Sequence, residues 1–177
     1  MRIIAGSLKG RRIEPPPQFK ARPTTDFARE ALFDILNNEY EFEDLKVLDL
    51  FAGSGAVSFE FLSRGAASCT CVEMSPDNAA FISSAARSLG VASKVSVVRH
   101  NVFDFLPLCR LKFDLVFADP PYAMDGLENL PDKVFAAGVL HPEAYFILEH
   151  GSEHSFKGHP RFKKEKVYGR VHFSFFE

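Results

Sequence analysis

Residues 46–73 read KVLDLFAGSGAVSFEFLSRGAASCTCVE, and the order of patterns within them sets the architecture. KVLDL is a short β-rich run closed by an acid. Gly53 and Gly55 then let the backbone turn tightly, SFEFLSRG carries helical spacing, and SCTCVE is again β-rich. Outward from this unit the alternation continues. KVSVV (94–98), FDLVFA (113–118) and AYFILEH (144–150) read as strands, and PDNAAFISSAARSLG (76–90) and DGLENLPDKVFAAG (125–138) as the helices between them. Strands alternating with helices predict an α/β fold with a mostly parallel sheet covered on both faces. The finish, KEKVYGRVHFSFFE, instead predicts two strands about a Tyr168-Gly169 turn, added antiparallel.

Upstream of residue 46, TTDFAREALFDIL places Phe27, Ala31, Leu32, Ile35 and Leu36 on one helical face, with Thr24 or Thr25 to cap it. EPPPQ at 14–18 reads as a linker. Before it, RIIA and RRIE around Gly6 and Gly10 predict a small β-hairpin. A chain of 177 residues is within the range of one compact domain, so the expectation is a single unit over 1–177, with a basic hairpin arm at 1–21 and a core at 22–177.

The formal net charge of −2, taken alone, argues against a polyanionic partner, but the distribution is uneven. Arg2, Lys9, Arg11, Arg12, Lys20, Arg22 and Arg29 crowd the first 29 residues against Glu14 and Asp26, and a second basic cluster runs from Lys157 to Arg170. Both ends can face a polyanion, and equally can be solvated surfaces. Cys69 and Cys71 alternate along a strand and Cys109 stands alone, so no CxxC pair or disulfide framework is present and a reducing cytoplasm is the expected location. The opening apolar stretch is too short for a signal peptide and no run approaches a membrane span.

In a parallel sheet ligands bind at the carboxyl ends of strands near the reversal of strand order. Three features fall there. Asp49 closes a strand ahead of the Gly53–Gly55 turn; Glu73 closes the next; and FDLVFADPPY at 113–122 puts Asp119, two rigid prolines and Tyr122 at the same rim. Pro120 and Pro121 have no N–H and leave carbonyls as acceptors, while Tyr122 offers a flat face on which a base can stack. Acid, carbonyl and ring make a socket for a planar amine. His150 and His154 are four apart, but Gly151 interrupts any helix and the H-E-x-x-H glutamate is missing, so no metal site is expected.

These motifs bear a resemblance. D-x-F-A-G-S-G at 49–55, Glu73 and D-P-P-Y at 119–122 resemble the S-adenosylmethionine-dependent amino-methyltransferases. MRIIAGSLKGRRI at the start, RPTTDFAREALFDIL at 22–36 and VYGR at 167–170 narrow the likeness to the bacterial 16S ribosomal RNA guanine-N2 methyltransferases. The resemblance implies a Rossmann-like class I methyltransferase fold, a seven-stranded sheet with an antiparallel C-terminal strand, and transfer of a methyl group to the 2-amino group of one guanine. It implies that Asp49, Phe51, Ala52, Gly53, Ser54, Gly55, Glu73, Met74, Asn101, Val102 and Asp119 hold S-adenosylmethionine. Asn101 stands where the family usually has an acid near the adenine. Catalysis falls to Asp119, Pro120, Pro121 and Tyr122, and phosphate contacts to Lys9, Arg11, Arg12, Arg22, Thr24, Thr25 and Arg29. A monomer acting on 16S ribosomal RNA, naked or within an assembling small subunit, is expected.

Three other readings stay open. An adenine amino-methyltransferase shares DPPY. A nicotinamide oxidoreductase shares the glycine loop and Glu73, but AGSGAVS lacks its third glycine. A non-catalytic RNA-binding module needs no acceptor socket.

Overall fold

A computed structural model describes residues 1–17, 19 and 25–177. The sheet has seven strands: β1 (Lys46–Asp49), β2 (Ser68–Val72), β3 (Val95–Val98), β4 (Phe113–Ala118), β5 (Leu140–His150), β6 (Phe162–Tyr168) and β7 (Val171–Phe176). They lie in the order β3-β2-β1-β4-β5-β7-β6. β1 to β5 are parallel, and β7 runs antiparallel to both β5 and β6. The mostly parallel sheet and the antiparallel C-terminal strands are those expected from the sequence.

Alternation along the central strands divides the core in two. Val47, Leu115, Phe117 and Ile147 face α1 (Asp26–Asn37), α2 (Ala56–Ser63) and α3 (Pro76–Ser88). Leu48, Val116, Phe146 and Leu148 face α4 (Val102–Phe105) and α5 (Leu130–Ala137). Covered on both sides, these strands carry buried apolar residues on both faces, as a parallel sheet between two helical layers requires.

α3 starts where Ser75 accepts from the Asn78 N–H and Pro76 sits in the first turn, the combination that satisfies orphan donors and presets the helical φ. α1 starts at Thr25, whose hydroxyl accepts from the Ala28 N–H at 3.1 Å. Of the two caps open to the sequence, the structure uses this one. Two elements differ from expectation. α4 is one turn long, too short for periodicity to reveal. β5 begins at Leu140 rather than at Ala144, with its register against β4 shifted between Phe113 and Leu115. Pro142, without an N–H, and Glu143, at φ 67°, fall in that irregular stretch and mask its strand character.

The N-terminal arm is a hairpin closed by an Arg2–Arg12 bridge, with the Ile3 N–H donating to the Arg11 carbonyl and the Ile13 N–H to that of Met1, each at 2.9 Å. Ile3 and Ile13 are buried in the same core as α2. Two side chains of α2 hold the arm down. The wholly buried Glu60 carboxylate accepts from the Ile4 and Ala5 N–H groups, both at 3.0 Å. Ser63 accepts from Leu8 N–H and donates to the Ala5 carbonyl, and its own carbonyl accepts from Ser7 N–H at 2.7 Å. The arm is part of the core, not a loose appendage.

Candidate active site at the carboxyl rim of the sheet

The chain leaves β1 toward β2 and β3 on one side and reaches β4 and β5 on the other, so the β1–β4 border is the reversal point of the sheet. Asp49 is in register with Phe117, which brings the end of β1 and the residues just beyond β4 to one crevice. It opens as a cleft of about 850 Å³, lined by Asp49 to Ser54, Glu73, Met74, Asn101, Val102 and Asp119 to Tyr122, with Asn78, His100, Phe103 and Met124. Every residue expected at the cofactor or the reacting amine is in this lining except Gly55.

Asp49 is almost wholly buried. Its Oδ2 accepts from the Ser58 hydroxyl at 2.8 Å, and among the described residues Oδ1 has no hydrogen-bond partner. Burial pushes this carboxyl up to about 7; the Ser58 bond and, to a smaller extent, the nearby Phe51 N–H work in the opposite direction, and the negative charges of Asp119 and Glu73 add to the rise. A buried carboxylate oxygen without a donor is costly, and a cation in the cleft is the group that would satisfy it. Ser58 also meets the thiols of Cys69 and Cys71, whose ionisation burial disfavours.

Glu73 is tied to the glycine turn. Its Oε2 accepts from the Gly53 N–H at 2.8 Å and its Oε1 from the Ser75 N–H at 2.9 Å. Two backbone donors fix the carboxylate and leave each oxygen a further lone pair toward the cleft. Gly53, at φ 55°, lines the cleft as expected. Gly55 does not: at φ 81°, a Cβ there would lie 2.7 Å from the Phe59 ring and 3.4 Å from Ile82. Its need for glycine is a left-handed turn and close packing behind the site, not the approach of a ligand.

Asn101 caps α4, its side-chain carbonyl accepting from the Phe103 N–H at 2.9 Å. One lone pair of that carbonyl remains for a ligand donor. Beyond β4, Asp119 is half-buried and Pro120 buried, whereas Pro121 is exposed. The Pro121 carbonyl, expected to stay open, accepts from the Met124 N–H at 2.9 Å. Tyr122 donates its hydroxyl to Oε1 of the wholly buried Glu149 at 3.0 Å, and its carbonyl accepts from Nε2 of His154 at 3.2 Å.

The expected phosphate contacts divide. Lys9, Arg11 and Arg12 are exposed on the hairpin, although Arg11 also donates to the Ser88 carbonyl at the end of α3. Thr25 is exposed, but its hydroxyl is engaged as the α1 cap. Arg22 and Thr24 lie outside the described residues. Arg29 is a correction: it is 1% exposed, with Nη2 donating to the Arg2 carbonyl at 2.5 Å and to Asp26 at 3.0 Å, and Nε 3.8 Å from Glu60. It is an internal tie between arm, α1 and α2, out of reach of an external phosphate.

The residues that gather ligand atoms around His150, all within 4.8 Å of one another, are Glu165 and His172 rather than His154. His150 faces Ser174, Glu165 and His172 on the neighbouring strands. Its Nδ1 donates to the Gly151 carbonyl, its Nε2 accepts from Ser174, and His172 bonds Glu165 at 2.8 Å.

Sequence reasoning missed Ser58, Asn78 and Glu149, and weighed His154 only as a metal ligand. For Glu149 the signal was present: AYFILEH, like KVLDL, SCTCVE and FDLVFAD, carries an acid at its carboxyl end. Ser58 and Asn78, inside helices, carried no such signal.

The model of the family described as conserved hypothetical protein 95 matches residues 1–177. The ribosomal RNA small subunit methyltransferase D of Escherichia coli K12 is 34% identical over 182 residues, an alignment covering 100% of this chain and 89% of the relative. The putative rRNA methyltransferase YlbH of Bacillus subtilis is 31% identical, with 86% and 84% covered. Among solved structures, a putative methyltransferase from Escherichia coli aligns with a TM-score of 0.85 at 34% identity, covering 99% of this chain and 96% of that one. A hypothetical protein of Thermus thermophilus aligns at 0.86 and 32%, covering 100% and 99%. The match of the whole chain to the family model, and its alignment along nearly the full length of such relatives, show that it belongs to the family of the ribosomal RNA small subunit methyltransferases D.

Proposed function

We propose that the chain transfers a methyl group from S-adenosylmethionine to the exocyclic 2-amino group of a guanine in 16S ribosomal RNA. The observation that carries this reading is the pairing, in one cleft, of a buried Asp49 carboxylate oxygen, without a hydrogen-bond partner among the described residues, with the acid, prolines and ring of residues 119–122. The relatives' names, which speak of the small-subunit ribosomal RNA, support the substrate class. The hairpin and DPPY motifs quoted above support the guanine amine.

The residues present fit the cofactor. Asp49 Oδ1 suits its ammonium, the Gly53 turn its amino-acid portion, the Glu73 oxygens its ribose hydroxyls, and Asn101 with Val102 its adenine. When bound, S-adenosylmethionine supplies a methyl group on a positively charged sulfur. The remaining task of the protein is to hold and aim an amine whose lone pair is delocalised into its ring, and geometry does most of that. Asp119 and the Pro120 carbonyl accept its two N–H groups, Tyr122 holds its plane, and Asp119 takes a proton once the nitrogen has become cationic. A guanine inside a duplex cannot reach this cleft, so the target is unpaired or flipped out.

The Asp119→Ala variant tests the role directly. Single-turnover transfer is expected to slow by roughly 10²–10⁴-fold with cofactor affinity nearly unchanged. An unchanged single-turnover rate refutes it.

A further inference from the structure

Tyr122 is held at both ends by the close of β5 and the turn that follows it. Glu149, which accepts from its hydroxyl, is the penultimate residue of β5, and His154, which donates to its carbonyl, lies in the turn that follows. That turn is itself fixed. The Gly151 carbonyl accepts from both the His154 N–H at 3.3 Å and the His150 ring at 2.9 Å. The His154 ring lies stacked beside Phe156, which is buried against Phe176.

We infer that Glu149 and His154 are positioning residues for the Tyr122 ring. On this inference the exit turn of β5 sets the plane against which the acceptor base lies before any substrate arrives. Tyr122 follows an exposed proline, and nothing in a two-proline turn by itself fixes a tyrosine side chain. Leaving such a ring to be ordered by substrate costs roughly a three- to tenfold factor. A hydroxyl donating to a carboxylate is among the stronger hydrogen bonds, which accounts for an acid rather than an apolar residue at the buried end of β5. The inference rests on the proposed methyl transfer for its consequence, but not for its geometry.

The test combines Tyr122→Phe, which removes only the donor oxygen, with Glu149→Ala, Glu149→Gln and His154→Ala. Single-turnover methylation of small-subunit ribosomal RNA at saturating cofactor is expected to fall about tenfold in Tyr122→Phe and in Glu149→Ala. The double variant falls no further than the worse single, because both remove one hydrogen bond. Glu149→Gln, which keeps an acceptor oxygen, recovers most of the Glu149→Ala loss, and the Kd for S-adenosylhomocysteine is the same throughout. A second readout needs no substrate. 3-Fluorotyrosine at position 122 gives one narrow ¹⁹F resonance, which broadens or moves toward that of free fluorotyrosine in Glu149→Ala and in His154→Ala. Losses that multiply in the double variant, or a ¹⁹F signal indifferent to both substitutions, overturn the inference. Should Glu149→Ala fail to fold, Tyr122→Phe and His154→Ala decide it, the first by rate and the second by resonance. A wild-type protein that methylates nothing sinks the functional reading, while the resonance still decides the positioning.

Discussion

Asp49 concentrates the electrostatics of the site in one carboxyl group. With a folded pKa raised from 3.8 to about 7, the native state binds a proton more readily than the unfolded chain does. The sign follows: the cost to stability is absent below pH ~4, grows between about 4 and 7, and is constant above. Its size is on the order of 4 kcal/mol. A ligand ammonium against Oδ1 favours the charged form and so expels that proton. Below pH 7 the affinity for S-adenosylhomocysteine is expected to rise with pH and then level off, with about one proton released per molecule bound near pH 6. Calorimetry in two buffers of different ionisation enthalpy measures this release, and zero release contradicts a charged Asp49–ammonium contact. The same residue shows what a sequence can reveal. An acid at a strand end beside a glycine turn announces a ligand, whereas the hydroxyl of Ser58 behind it is an ordinary helical serine until the fold brings it within 2.8 Å. Arg29 shows the reverse, a basic residue in a basic segment whose burial beside Glu60 and Arg2 only three-dimensional packing discloses.

Among elements, the arm and α2 act as one piece. Gly6 is the joint: at φ 84° it meets α2 so closely that a Cβ would lie 1.9 Å from the Ser63 carbonyl oxygen, whereas Gly10 at φ 83° has nothing within 4 Å. Both Gly→Ala changes carry the strain of a left-handed alanine, about 1–3 kcal/mol, but only Gly6→Ala also forces the arm off the helix. It is expected to lower Tm by roughly 4–12 °C, clearly more than Gly10→Ala, as scanning calorimetry would show. Equal shifts would mean that the arm does not depend on that contact. The strands and longer helices were legible because alternating and 3.6-residue patterns repeat often enough to register. α4 has a single turn and no repeat, and the start of β5 is disguised by Pro142. The arm's docking depends on the buried Glu60 carboxylate, and a glutamate on a helix reads as exposed until its partners are known.

For the molecule as a whole, the charge is nearly balanced but segregated. Acids at the carboxyl ends of the sheet, Asp49, Glu73, Asp119 and Glu149, lie at one rim, the expected environment for a cofactor bearing an ammonium and a sulfonium. Exposed bases on the hairpin, Lys9, Arg11 and Arg12, are suited to phosphates, which position an RNA without reading its sequence. Arg12→Ala is expected to lessen the slope of log affinity for ribosomal RNA against log salt by about 0.7–0.9, the share of one phosphate. Filter binding over a salt series measures that slope, and an unaltered one would remove this arm from the interface. On the proposed function, the cleft presents a guanine 2-amino group to an activated methyl. Incubating the protein with methyl-labelled S-adenosylmethionine and small-subunit RNA or subunits, then digesting the RNA to nucleosides, tests it most directly. Label is expected in N2-methylguanosine and lost in the Asp119→Ala variant; label in N6-methyladenosine, or undiminished labelling by that variant, is incompatible with such a cleft.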